Sequence, residues 1–255
     1  MDLKIIYEDD DVLVVDKPAG VVVFEEGPAS AKGFGEAKEK TLIDYLIEQH
    51  PELKSAGEAP RYGIVHRLDK DTSGILLVAK NSESLIFLQK QFKKRGVEKK
   101  YLALVVGNIK EEQGEIKTLI GRAPGDKRKQ KVYLAGEPAS EGKREAITEY
   151  KVVERYECPP PPRLRRVTSS KFTLLEVKIK TGRRHQIRCH FSYLHHPIAG
   201  DKMYGFKNQP KPEGLNRHFL HAAYSKIQLS DGKIHEFKSE LPDDLKKILN
   251  KLEPI

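Results

Sequence analysis

The 255-residue sequence has no tryptophan, two cysteines, two methionines and only 7% aromatic residues. Cys158 and Cys189 stand in no spaced pattern, which excludes a disulfide framework and leaves two free thiols in a reducing compartment as the expectation. Long apolar runs are also missing. The longest, such as Ile75-Leu76-Leu77-Val78-Ala79, fall far short of the ~20 residues that carry a helix across a bilayer. The first eleven residues are acidic and do not resemble the cationic start of a secretory signal, so the cytoplasm is the expected compartment. No repeat at solenoid periods occurs. A chain of this length hides roughly three quarters of the surface its unfolded form exposes, enough for a core without staples. One domain over residues 1–255, or two closely joined halves, is expected.

What the chain has in excess is positive charge, unevenly placed. Residues 1–60 carry 6 Lys+Arg against 14 Asp+Glu, a net of −8, so the remainder carries +17 of the overall +9. Residues 163–190 alone hold nine basic side chains and one acid, Glu176. Such a field suits a polyanion. A solvated basic face of a small-molecule enzyme is the plainer alternative.

The pattern is one of short strands with interspersed helices. Lys4–Tyr7 and Val12–Lys17 read as strands before a Lys17-Pro18-Ala19-Gly20 turn. Residues 25–40 read as a surface loop, and Thr41 caps a helix through His50 with Leu42, Tyr45 and Leu46 on one face. Ile75–Ala79 is a buried-strand candidate, followed by a helix from Asn81 or Ser82 that Gly96 ends. Tyr101–Val106, Ile147–Tyr156 and Phe172–Ile179 read as strands, with a basic, turn-rich stretch at 121–131. Cys158–Arg166, with Pro159 to Pro162, reads as a stiff connector. A last helix opens at Leu241-Pro242-Asp243-Asp244 with Leu245, Ile248, Leu249 and Leu252 inward. Strands and helices that do not strictly alternate argue for an α+β class.

Two segments could carry chemistry. His66-Arg67-Leu68-Asp69-Lys70-Asp71-Thr72-Ser73-Gly74 packs acids, bases and hydroxyls into a turn between apolar runs, where a scaffold can present one carboxylate. The same Asp69 and Thr72 would serve equally as turn residues bonding their own backbone. Farther on, Thr181-Gly182-Arg183-Arg184-His185-Gln186-Ile187-Arg188-Cys189-His190 gathers three arginines and two histidines. Guanidinium forks suit phosphate or carboxylate. Because Ile187, Phe191 and Leu194 define an apolar side of that element, at least one neighbouring polar residue is drawn inward, and an interior arginine needs an acid. His185, Cys189, His190, His195 and His196 crowd together, but their spacings fit no common zinc signature and no metal is expected.

These two segments, in order, resemble the RluA-type pseudouridine synthases. So do Lys17-Pro18-Ala19-Gly20, Lys99-Lys100-Tyr101, His196-Pro197-Ile198-Ala199-Gly200-Asp201 with Tyr204-Gly205, Leu220-His221-Ala222, and Leu241-Pro242. The resemblance covers nearly the whole chain. It implies an α+β pseudouridine synthase fold: a mixed, mainly antiparallel sheet with flanking helices and loops around a central RNA-binding cleft. It also implies an isomerase that converts specific uridines in ribosomal or transfer RNA to pseudouridine, with no cofactor. Asp69 matches the family's catalytic aspartate, Arg188 the arginine paired with it, and Tyr101 the tyrosine lying against the target base. Arg67 matches the residue that fills the space left by the extruded nucleotide, and His66, Leu68, Arg183 and His185 are further substrate-binding positions. Structured RNA is the expected partner, without membrane or obligatory protein partner. Many such enzymes carry a small RNA-binding domain ahead of the catalytic part, whereas here the catalytic strands begin within a dozen residues, and no separate N-terminal domain is expected. The 25–40 loop reads as decoration and the proline-rich connector as an RNA contact.

Two other readings compete. An inactive RNA-binding protein of the same fold would have altered Asp69, Tyr101 or Arg188, and all three are present. A glycosidic-bond hydrolase would use a carboxylate pair, for which Asp69 and Asp71, two residues apart in one turn, are poorly placed to flank a bond.

Overall fold

A computed structural model of the protein describes residues 3–25, 39–158 and 169–255. Most of the 25–40 loop and the proline-rich part of the connector lie outside the described residues. In chain order the elements are β1 (Lys4–Glu8), β2 (Val12–Lys17), α1 (Leu42–Gln49), β3 (Ser73–Ala79), α2 (Ser82–Lys93), β4 (Glu98–Val106), β5 (Gln113–Arg122) and β6 (Gln130–Tyr133). They continue with β7 (Arg144–Cys158), β8 (Ser170–Ile179), α3 (Gln186–Tyr193), β9 (Leu220–Gln228), β10 (Ile234–Lys238), α4 (Asp243–Leu249) and β11 (Glu253–Pro254). They form two compact units, Met1–Val97 with Tyr224–Ser239, and Glu98–Ala223 with Glu240–Ile255.

In the first unit β1 pairs with β2 and β2 with β3, both antiparallel, and β10 pairs with the later part of β9. β3 is buried at all seven positions, the apolar run Ile75–Ala79 among them. Val12, Val14, Ile75 and Leu77 pack with Leu85 and Leu88 of α2 and with Ile227 and Phe237. Each such side chain contributes roughly 1.5–3 kcal/mol of burial. Both helices begin with a reciprocal cap, Thr41 with Asp44 and Asn81 with Ser84; Thr41 is the cap the sequence predicts, and of the two candidate starts for α2 it is Asn81 that caps. Two details differ. In α1, Ile43 rather than Tyr45 joins Leu42 and Leu46 in the interior. In α2, Arg95, not Gly96, takes the left-handed position after the helix (φ 59°).

The second unit runs β4-β8-β7-β5-β6, every pair antiparallel, with β11 on β7. β5 alternates, with Ile116, Thr118 and Ile120 inward, a period of two that the sequence reading passed over. On one face of β4, β8 and β7 the charges form a ladder: Lys178 to Glu98 at 3.1 Å, Lys100 to Glu176 at 3.1 Å, Lys180 to Glu149 at 3.2 Å. Part of the basic run at 163–190 is therefore neutralised across the strands. Leu245 and Ile248 of α4 are buried, as is Leu252 just beyond it, while Leu249 is half-buried.

Candidate active site

The carboxylate loop of the first unit is built like a wide hairpin. Ile64 bridges antiparallel to Val78, and the Ala79 N–H donates to the Gly63 carbonyl at 2.8 Å. Glycine is required at 63 because a Cβ there would sit 1.9 Å from the Ala79 carbonyl oxygen. Next, His66 Nε2 accepts the Leu77 N–H at 3.0 Å while its ring stacks on Phe92, with centroids 4.9 Å apart. His66 thus fastens the loop to β3. Leu68 is buried, and the Thr72 N–H donates to the Asp69 carbonyl at 3.1 Å, closing a turn that holds Asp69 half-buried at its tip. The turn reading and the carboxylate reading are compatible, since the turn uses the backbone of Asp69. Arg67 lies with its guanidinium carbon 5.2 Å from the centre of the Phe24 ring.

Beneath this turn lies Lys17, whose side chain is fully buried at the end of β2. Its ammonium donates to the carbonyls of Pro18 (2.8 Å), Val21 (2.8 Å) and Lys70 (3.0 Å). The Gly20 N–H reaches the same Lys70 carbonyl at 2.9 Å. An ammonium has three N–H donors, and here three carbonyls meet them. The turn motif Lys17-Pro18-Ala19-Gly20 does not by itself disclose this role; the signal in the sequence is a lysine two residues beyond the apolar run Val12–Val15.

In the second unit, Tyr101 is buried on β4 opposite Val177. Lys99, two residues earlier and so on the same strand face, has its amine pushed down to about 8 by burial. The Thr181–Gln186 turn is a closed set of hydrogen bonds. Gln186 accepts from the Thr181 hydroxyl (2.8 Å) and the Arg183 N–H (3.0 Å), and donates to the Ile147 carbonyl and Thr148 Oγ1 (3.0 Å each). Arg183 also donates through Nε to the Glu145 carbonyl at 2.9 Å. His185 takes a left-handed conformation (φ 55°) just before α3.

The whole of α3 through Phe191 is buried, Arg188 included. The acid that an interior arginine needs is Asp201. Arg188 Nε donates to Oδ2 at 2.6 Å and Nη2 to Oδ1 at 2.9 Å, a side-on fork. The N–H groups of Met203 (2.9 Å) and Tyr204 (3.0 Å) also reach Oδ1. Burial alone pushes the Asp201 carboxyl upward, but the hydrogen bonds and charge of Arg188 and the Tyr204 N–H outweigh it and hold the group below its usual range. The Tyr204 ring lies 5.1 Å from the Arg188 guanidinium carbon. Its hydroxyl accepts the Gln130 N–H at 2.7 Å and meets His185 Nδ1 at 2.9 Å. Sequence reasoning quoted Asp201 and Tyr204 only as part of a motif; the apolar stripe around Arg188 announced the need for an acid but not which one.

Two further histidines of this cluster, His190 and His196, have partners of their own. His190 is fully buried between Thr118 Oγ1 (2.9 Å) and Thr148 Oγ1 (2.8 Å), and burial pushes it down to about 4, so it is neutral. His196 Nδ1 meets the Val106 carbonyl at 2.8 Å. Among the described residues no three His, Cys, Asp or Glu side chains are grouped to hold a metal ion, and no helix is long and apolar enough to cross a membrane.

The RNA pseudouridylate synthase family profile matches residues 11–193. An uncharacterized RNA pseudouridine synthase of Aquifex aeolicus is 43% identical over 213 residues, 84% of this chain and 59% of that protein. The ribosomal large subunit pseudouridine synthase D of Nitrosomonas europaea is 38% identical over 254 residues, 97% of this chain and 64% of that protein. The chain thus spans less than two thirds of the length of either relative. Among solved structures, human RNA pseudouridylate synthase domain containing 1 superposes with a TM-score of 0.71 at 29% identity, covering 100% of this chain and 89% of that one. The likeness is one of fold and sequence together, and the α+β architecture is that of the pseudouridine synthases. On a profile match running from β2 through α3 and relatives aligned along nearly all its length, the chain belongs to the RNA pseudouridylate synthase family.

Proposed function

We propose that this protein isomerises uridine in RNA to pseudouridine, with the Asp69 carboxylate at the reacting nucleoside. In that reaction the bond from N1 to the ribose breaks, the base turns over, and C5 joins the same carbon. The hydrogen on C5 leaves to solvent and N1 takes up a proton, so neither a redox partner nor an activated donor is needed. The observation that supports the reading is the held turn: the match of His66-Arg67-Leu68-Asp69 to the family's motif favours Asp69, whose own carbonyl is bonded by the Thr72 N–H and whose neighbour Lys70 is held by Lys17 and Gly20, while the Asp69 side chain stays half-buried. A carboxylate held this way is preorganised.

Arg188 is the cation paired with Asp69, keeping it ionised as the base enters. Tyr101 lies against the uracil, its ring stacking and its hydroxyl able to move a proton. The target nucleotide leaves its stack at roughly a few kcal/mol, and Arg67 fills the gap. His66, Leu68, Arg183 and His185, which match further substrate-binding positions of the family, contact the RNA around the target nucleotide. The names of several relatives, ribosomal large subunit pseudouridine synthase D, favour large-subunit ribosomal RNA over transfer RNA as substrate, with the cytoplasm as the compartment. The chemistry itself calls for no obligatory protein partner.

The test is release of tritium from a large-subunit ribosomal RNA transcript labelled at uracil C5. Wild type releases it, whereas Asp69→Asn and Arg188→Met bind RNA and release none. Free uracil as product would support the hydrolase instead, and binding without turnover by wild type would support the inactive RNA-binding protein.

A further inference from the structure

We propose that Asp201 is a positioning residue for the reaction, acting through Arg188. This rests on the pairing of Arg188 with Asp69 given above. The fork fixes one edge of the guanidinium: Nε and Nη2 are held by Asp201 at 2.6 and 2.9 Å, so the plane and direction of Nη1, which is not part of the fork, are set by Asp201. Asp201 is itself held by the Met203 and Tyr204 N–H groups, and the Tyr204 ring covers the guanidinium. Tyr204 is in turn tied to Gln130 and His185. The arginine is therefore built into its own unit.

A second consequence concerns charge. Whether the Asp69 carboxylate forms a bond to carbon or takes up a proton, its negative charge disappears during the reaction. An arginine neutralised by Asp69 alone would then become an unpaired buried cation, which is strongly unfavourable. With Asp201 in place the guanidinium remains neutralised throughout. Arg188 thus favours the ionised form of Asp69 before the reaction and keeps a partner of its own once that charge has been consumed.

The experiment compares wild type with Asp201→Asn and Asp201→Glu, using the full chain and the tritiated transcript. Rates are measured in single turnover and divided by the fraction of protein that binds RNA. A purely structural role would lower that fraction and the melting temperature and leave the rate per bound RNA unchanged. The expectation for Asp201→Asn is a fall in that rate of about 10²-fold, the scale of an ~1 Å misplacement, with RNA affinity within about threefold of wild type. Asp201→Glu keeps the charge and displaces the fork, so it recovers part of the loss. Wild-type rate per bound RNA in Asp201→Asn overturns the proposal. Should that variant fail to fold, Asp201→Ser decides, because a wild-type rate per bound RNA there, with the carboxylate gone, overturns it equally. Full activity in Arg188→Met would instead remove the pairing on which the proposal stands.

Discussion

The buried ammonium of Lys17 donates to the carbonyl of Lys70 at 3.0 Å, one residue beyond Asp69. Strand β2 thereby holds the turn that presents the carboxylate, and the hold is a charge-assisted bond inside the protein, where water does not compete.

Replacing Lys17 by methionine keeps the stem and removes the three donors. The carbonyls of Pro18 and Val21 lose this partner and that of Lys70 keeps only the Gly20 N–H, so the expected loss of stability is on the order of 2–4 kcal/mol, read as a shift of the urea midpoint. Turnover per folded molecule falls as well, because the Asp69 turn is released. Lys17→Arg does not rescue either property, since a planar fork cannot fill a site shaped for a tetrahedral head. A midpoint within about 0.5 kcal/mol of wild type would show that the clamp is dispensable.

His190 gives the second unit an acid-sensitive joint. The folded protein holds this imidazole near 4 against an ordinary value of 6.5, so between those pH values the unfolded chain binds the extra proton and the folded one does not. Stability falls as pH drops through that window, by about 3 kcal/mol at the limit. In His190→Gln the fall between pH 6.5 and 4 is correspondingly shallower. Asp201, whose carboxyl is held low by Arg188, loses its contribution only as pH falls below its ordinary value of 3.8. Equal slopes for wild type and His190→Gln above pH 4 would remove His190 from the account.

RNA affinity depends on salt through the counterions released as lysines and arginines meet phosphates. For about five phosphate contacts, log affinity against log salt has a slope of about −3 or steeper. Charge reversal of Lys178 or Lys180, already paired with Glu98 and Glu149, changes that slope less than reversal of a basic residue outside the ladder. A flat salt response measured by filter binding would contradict a phosphate-dominated interface.

Much of the local structure is legible in the residues. The caps of α1 and α2 depend on side chains three positions apart, and the buried strand β3 on an unbroken apolar run. β5 was legible too, in the alternation of Ile116, Thr118 and Ile120, although its charged outer face obscured it. The left-handed residue after α2 was less so, because Arg95 accepts a conformation that glycine next to it would adopt more easily.

By itself, then, the order of motifs determined the family, the α+β class and the identity of the candidate carboxylate, tyrosine and arginine. Only tertiary structure decided that Lys17 lies under the Asp69 turn, that Asp201 meets Arg188, and that His190 joins Thr118 and Thr148. The division has a physical cause. Turns, caps and alternation are set by neighbours within a few positions, whereas the partner of a buried charge is whichever opposite group the packed chain brings within 3 Å. For Lys17 that group is a backbone carbonyl 53 residues away, a chemistry that every residue carries and no sequence motif can mark.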